Sequence, residues 1–387
     1  MRLAAPSVPA RAAGCTGPTG AAILAVGLAV VLLGAGGCWI PVRPGVSGTV
    51  ALPAGGPDSV ELTYLGVGGW ILRRGRDVVL GAPLFSDPSV LRTGLASVRS
   101  DTSAVNRYMG RYDVAGAAAI LVGHGHYDHL MDVPQIARRH APHAWILTNR
   151  TGYNTLGSWA GVAERIRVVN DLAGDERHAG AWIRLSPTLR VMALRSNHAP
   201  HFESFTLYHG HTTRPRVEEP RWASEWLDGD TYAFLVDFLD AQGGVVFRVY
   251  YQDAVAAPPR GLAPDSLVAT HPVDVAILVP ATFDQVDWHP EAFVENLRPR
   301  WVLLGHWENF FISPDEPTRS IFLTDLRHFT HRLERVLPGR WYLPDRWTRF
   351  VFAPGAARSP TVQRSPAVDG PPIVRPSGYR VPGPPRN

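Results

Sequence analysis

His124-Gly125-His126-Tyr127-Asp128-His129 puts four metal-capable side chains on one short stretch. The apolar run Ala118-Ala119-Ile120-Leu121-Val122 before it predicts a buried strand, and Leu130-Met131-Asp132-Val133-Pro134 after it opens a helix-like segment. Neutral imidazole and carboxylate are first-rank ligands for zinc-like ions. In extended backbone alternate side chains share a face, so His124 and His126 point the same way. Asp128 and His129 come after the bend and can face a second point. That layout suits two adjacent metals better than one.

Further candidates stand at the ends of later apolar runs. His198 follows Val191–Leu194, Asp253 follows Val249-Tyr250-Tyr251-Gln252, and His306 follows Val302-Leu303-Leu304-Gly305. His201 lies three residues beyond His198. The residues alone leave both open, with His198 preferred because it is nearer the strand end. His209-Gly210-His211 repeats the His-x-His spacing without a following Asp-His and is assigned no role. There is no Gly-x-Ser-x-Gly nucleophile elbow. Gly66-Val67-Gly68-Gly69 lacks the Lys-Ser/Thr of a phosphate loop.

His124-x-His126-x-Asp128-His129 resembles the signature of the metallo-β-lactamase superfamily. The resemblance implies an α/β fold, a four-layer αββα sandwich with its metal site at one edge of two packed sheets. It implies that His124, His126 and His198 hold one divalent ion, that Asp128, His129 and His306 hold a second, and that Asp253 bridges them. Zinc is the first expectation for both ions, with manganese or iron as alternatives. A metal lowers the pKa of bound water from about 15.7 to about 7, and a pair roughly 3.5–4 Å apart can share the resulting hydroxide. Asp128 and Asp253 are then the candidate catalytic residues, orienting that water or relaying a proton.

Within the superfamily, His126-Tyr127-Asp128-His129-Leu130 and Gly305-His306-Trp307 look most like the branch containing N-acyl-phosphatidylethanolamine-hydrolysing phospholipase D. That likeness implies a phosphodiesterase acting on a lipid-like molecule, with Tyr127, His201 and Trp307 as substrate-pocket residues. Two departures stand out: Glu308-Asn309 follows the last histidine, and the usual acidic residue before Pro83 is missing, Asp87 being the nearest substitute. Other readings are a lactonase or β-lactam hydrolase, and a non-catalytic metal-binding lipoprotein of the envelope.

The rest of the chain sets the context. It has 387 residues and 45% hydrophobic content, enough for a sizeable core. All 38 basic residues are arginine, and the net charge is +4. Residues 1–37 contribute +2 and residues 356–387 contribute +4, which leaves −2 on residues 38–355. The central body is therefore slightly acidic and nucleic acid is not an expected partner. Arg2 and Arg11, then Ala21 to Leu33, read as an export signal over residues 1–37, and Ala35-Gly36-Gly37-Cys38 resembles a bacterial lipobox. Lipidation at Cys38 would tie the protein to the cell-envelope membrane; an uncleaved anchor is the alternative, since no charge falls between Thr19 and Val42.

Residues 38–57 read as a tether, 58–355 as one hydrolase-like domain, and 356–387 as a disordered Pro/Arg-rich tail. Strands are expected at Val60–Tyr64, Trp70–Leu72, Val78–Leu80, Ala144–Leu147, Val191–Leu194, Tyr232–Leu239, Val245–Tyr251, Val275–Val279 and Trp301–Leu304, and helices over 133–140 and Ser320–Leu337.

Overall fold

The computed structural model describes residues 58–322, 324–353 and 360–364. Cys38, the export segment and the tether lie outside the described residues. Among the described residues no helix is long and apolar enough to cross a membrane.

Alternation along the first strands explains the layering. In β1 (Val60–Gly66), β2 (Gly69–Arg74), β3 (Asp77–Gly81) and β4 (Ala119–Leu121) both faces are buried. The two faces enter different cores: Leu62, Trp70, Leu72, Val79 and Leu121 join one cluster, while Ile71, Leu80 and Ile120 join another. The second cluster takes Val105, Tyr108 and Met109 from the helix Thr102–Met109, with Ile136 and Ala137 from the helix Val133–Arg139. With β5 (Trp145–Thr148), β6 (Ile166–Val168), β14 (Thr348–Phe352) and β15 (Thr361–Arg364), these strands make an eight-stranded sheet ordered β15-β14-β1-β2-β3-β4-β5-β6.

The other sheet contains β7 (Ile183–Ser186), β8 (Leu189–Arg195), β9 (Tyr232–Leu239), β10 (Val245–Tyr251), β11 (Val275–Leu278), β12 (Trp301–Leu304) and β13 (Trp341–Tyr342) in reverse order. Neighbouring residues of β10 show its two faces. The Tyr251 hydroxyl donates to the Gly68 carbonyl of the first sheet at 2.8 Å. Tyr250 turns the other way, its ring 6.1 Å from Phe293 of the helix Glu291–Leu297. Helix, sheet, sheet, helix is the resulting order, the αββα sandwich expected.

Strand direction then gathers the loops. β10 is parallel to β11, and β11 to β12. β8 and β10 each run antiparallel to β9, so they share a direction. The C-terminal ends of β8, β10 and β12 therefore open at one edge of the sheet, and His198, Asp253 and His306 follow them.

Two boundaries differ from expectation. Thr361–Arg364, inside the segment 356–387 expected to be disordered, pairs with β14, with Phe350 opposite Val362. Val362, β-branched, suits such a pleated strand. The last helix begins at Leu326, not Ser320, because the Asp325 carboxylate accepts from the His328 amide at 3.0 Å and caps it there.

Candidate metal centre

Each ligand candidate is delivered by a backbone device. After β4 the chain must pass between the sheets at Gly123, whose amide donates to Asp253 Oδ2 at 2.7 Å. A Cβ at that position would lie 2.2 Å from Asp253 Oδ1 and 2.5 Å from the Tyr232 carbonyl, so only glycine fits. His126 then stands at the N-cap position of the short helix Tyr127–Leu130, which carries Asp128 and His129.

The seven candidates converge. His124, His126 and His198 form one group, Asp128, His129 and His306 another, and Asp253 joins His124 and His129; within each group the ligand atoms lie within 4.8 Å of one another. Imidazole centroids in the first group are 4.7–5.0 Å apart. In the second, Asp128 Oδ2 lies 3.3 Å from His129 Nε2 and 3.2 Å from His306 Nε2. Asp253 spans the two, with Oδ1 3.0 Å from His124 Nδ1 and Oδ2 3.6 Å from His129 Nδ1.

Whether these residues fit a metal is decided by their free nitrogens. His124 Nε2, His126 Nε2, both ring nitrogens of His129 and His306 Nδ1 are buried without a hydrogen-bond partner. An orphaned buried polar atom costs about 1–3 kcal/mol, and such atoms on four neighbouring histidines call for a common explanation. His198 donates through Nδ1 to the Ala199 carbonyl at 2.6 Å, leaving Nε2 as its lone-pair donor. Burial, reinforced by neighbouring imidazoles, holds His124 and His126 well below the ordinary histidine value, and burial also lowers His198. All three are therefore neutral near pH 7, the form that binds metal. Burial alone would raise Asp128, yet His129 and His306 overcome it and keep the carboxylate charged. Burial would lower His129, but Asp128 and Asp253 raise it. The donor set fits divalent ions.

The structure also sorts the remaining expectations. His198, not His201, shares the first group. His201 stacks on His198 at 4.8 Å, and burial pushes it down to about 3. Trp307, expected in the substrate pocket, is 0% exposed within the larger core cluster and donates through Nε1 to the Pro344 carbonyl. A large apolar ring next to the ligand satisfies the core first. Tyr127 is likewise buried in the outer core of the first sheet and offers a substrate almost no surface. Asp87 belongs to none of the ligand groups and instead pairs with Arg346 at 2.9 Å. His209 pairs with Asp228 at 2.8 Å on an exposed turn.

Sequence reasoning missed the support beneath His306. Tyr64, Glu308 and Arg346 are all buried there. The Glu308 carboxylate accepts from the Tyr64 hydroxyl and the Val67 amide.

No family model and no curated protein matches the chain. Solved structures do resemble it. Igni18, a metallo hydrolase from the archaeon Ignicoccus hospitalis, is 14% identical with a TM-score of 0.43, covering 76% of this chain and 98% of its own. A structure described as a Zn-dependent hydrolase candidate of the metallo-β-lactamase superfamily, from Thermotoga maritima, is 12% identical with a TM-score of 0.30, covering 66% of this chain and 79% of its own. The CmlA β-hydroxylase is 15% identical with a TM-score of 0.39, covering 76% of this chain and 54% of its own. Hydrolases and a hydroxylase both figure among these neighbours, and likeness at this level decides no reaction.

Proposed function

We propose that the chain is a metal-dependent hydrolase with a two-ion centre, and that its substrate is a lipid-like phosphodiester. The observation that carries the metal reading is the gathering of five histidines and two aspartates at one sheet edge, with the Nε2 atoms of His124 and His126 buried and unpartnered. His124, His126 and His198 would hold one ion, Asp128, His129 and His306 the other, with Asp253 between them. Zinc is the first choice, and manganese or iron would suit the same ligands. When bound, the ions would supply a water acidic enough to attack at neutral pH and positive charge for the developing oxyanion.

The residues of the chain do the positioning. Asp128 stays charged although buried, so it would orient the attacking water by accepting its hydrogen bond. Asp253 is fixed by the Gly123 amide and cannot swing away. His201, half-buried beside His198, is placed to contact substrate.

A phosphodiester is favoured over a lactam because its two non-bridging oxygens can use both positive charges at once. An apolar tail would rest on the partly exposed rings of Phe311 and Phe322, which continue from the buried Phe310, itself 5.2 Å from His306. Export and lipidation at Cys38 would keep such a site near its substrate in the cell envelope; mass spectrometry of the native N-terminus would find an acylated cysteine, and an intact Met1 would rule lipidation out. The reaction class is tested by offering the zinc-loaded protein a chromogenic phosphodiester, a lactone and a cephalosporin, then running the best substrate in ¹⁸O water. Label in the phosphate product is expected. Label in a carboxylate would move the enzyme to the lactonase or carboxyl-ester class, and no turnover of any would favour a binding protein.

A further inference from the structure

His306 is unlike the other ligand candidates in the way it is held. Its backbone is left-handed, with φ 51°, a conformation that a non-glycine residue keeps only when its surroundings over-determine it. Val67, directly opposite, is also left-handed at φ 52°, which is rarer still for a β-branched residue. The two are tied together: the His306 amide donates to the Val67 carbonyl at 3.0 Å and to the Tyr64 hydroxyl oxygen at 3.0 Å.

Both anchors converge on one carboxylate. The Tyr64 hydroxyl donates to Glu308 Oε2, and the Val67 amide donates to Glu308 Oε1. Glu308 is itself 0% exposed, so its charge needs a partner. Arg346 provides it, with Nε 3.8 Å from Glu308 and a terminal nitrogen 2.9 Å from Asp87. Gly66 leaves room for this contact, since a Cβ there would come within 3.0 Å of both Arg346 and Glu308. Tyr64, Val67 and Arg346, from two segments distant in sequence, thus close around Glu308 two residues after the ligand, and none of these side chains belongs to a ligand group.

We infer that Glu308, acting through Tyr64 and Val67 and neutralised by Arg346, is a positioning residue that sets the His306 imidazole for the second ion alone. The inference rests on the two-ion reading above. The other two ligands of that ion, Asp128 and His129, are placed by the helix Tyr127–Leu130. The first group comes from other elements: His124 and His126 leave from β4 and His198 from β8.

The test titrates zinc(II) out of wild-type protein and the Glu308→Gln and Tyr64→Phe variants with a chromogenic chelator, resolving the two ions as separate steps. Cobalt(II)-loaded samples give a parallel visible spectrum of each site. Wild-type release of two ions checks the two-ion reading by itself, so its failure is distinguishable from failure of this inference. Each variant is expected to weaken one ion by roughly 10- to 100-fold, the usual effect of losing a partner that orients a ligand, with the other ion unchanged and the cobalt bands of one site altered. Tyr64→Phe removes only a hydroxyl and guards against collapse in Glu308→Gln. Wild-type affinity at both steps would overturn the inference. So would equal loss of both ions, or unfolding of both variants, either of which would make the network a part of the fold and not of the site.

Discussion

The two ligand groups differ in how far the chain must reach to build them. His124 and His126 come from one turn, and His198 joins them from the end of a strand in the facing sheet. Their imidazoles carry no charge, because burial strips the proton from each. The second group mixes charge types: Asp128 is held ionised and His129 is raised by its carboxylate neighbours. Its third member, His306, sits in strained backbone buttressed by Tyr64, Glu308 and Arg346. Each group takes two ligands from the local motif and one from beyond the end of a strand in the facing sheet, but the second also depends on contacts between residues more than 240 apart, such as Tyr64 and Glu308.

The comparison breaks most severely at the residue common to both groups. Asp253→Ala removes the carboxylate that lies 3.0 Å from His124 and 3.6 Å from His129. Elemental analysis of that variant is expected to show loss of metal from both groups, with activity abolished. By contrast, His306→Ala should retain one ion.

Asp128→Asn keeps the shape of the second group and removes its charge. Loss of the charged group that orients the water is expected to lower kcat by about 10²–10⁴-fold. Measuring kcat beside metal content separates the two roles: a rate loss with metal retained places Asp128 in the chemistry.

A third measurement sets the site histidines against a histidine of the core. His289 is buried, Nε2 bonds the Val279 carbonyl at 2.9 Å, and burial pushes it down to about 4. Its folded value lies below its unfolded value of 6.5, so it contributes stability that is present above pH 6.5 and lost as pH falls through 4. The loss is on the order of 3 kcal/mol between those limits. Denaturant unfolding of metal-free protein across that range should show it, and His289→Gln should flatten that part of the curve.

The smallest effect concerns glycine. Gly123→Ala meets Asp253 and the Tyr232 carbonyl and should cost about 1–3 kcal/mol, while Gly116→Ala, with nothing within 4 Å, should change stability little. Equal melting temperatures for the two would mean that the close approach at Gly123 is not what holds the turn.

The same contrast explains what could be read from the residues alone. The turn at His124–His129 and the strands that end at His198, Asp253 and His306 follow from local periodicity and spacing, whereas the layered fold is implied by the resemblance of that turn to a superfamily signature. The helix Thr102–Met109 was also legible in principle, because Asp101 caps the Ser103 and Ala104 amides and the apolar positions Val105, Tyr108 and Met109 keep a helical period. What was not legible depended on tertiary contact. Trp307 reads as a pocket aromatic by adjacency, yet it is drawn into the larger core cluster. Glu308 reads as an unexplained departure, because its partners Tyr64, Val67 and Arg346 come from the first sheet and from the approach to its outer strand.

The two-ion centre is tested most directly by counting metal. Purified wild-type protein and His306→Ala, each dialysed to equilibrium against zinc(II), are analysed for zinc per chain. Two ions in the wild type and one in His306→Ala are expected. One ion or none in the wild type, or a count that His306→Ala leaves unchanged, would contradict the assignment.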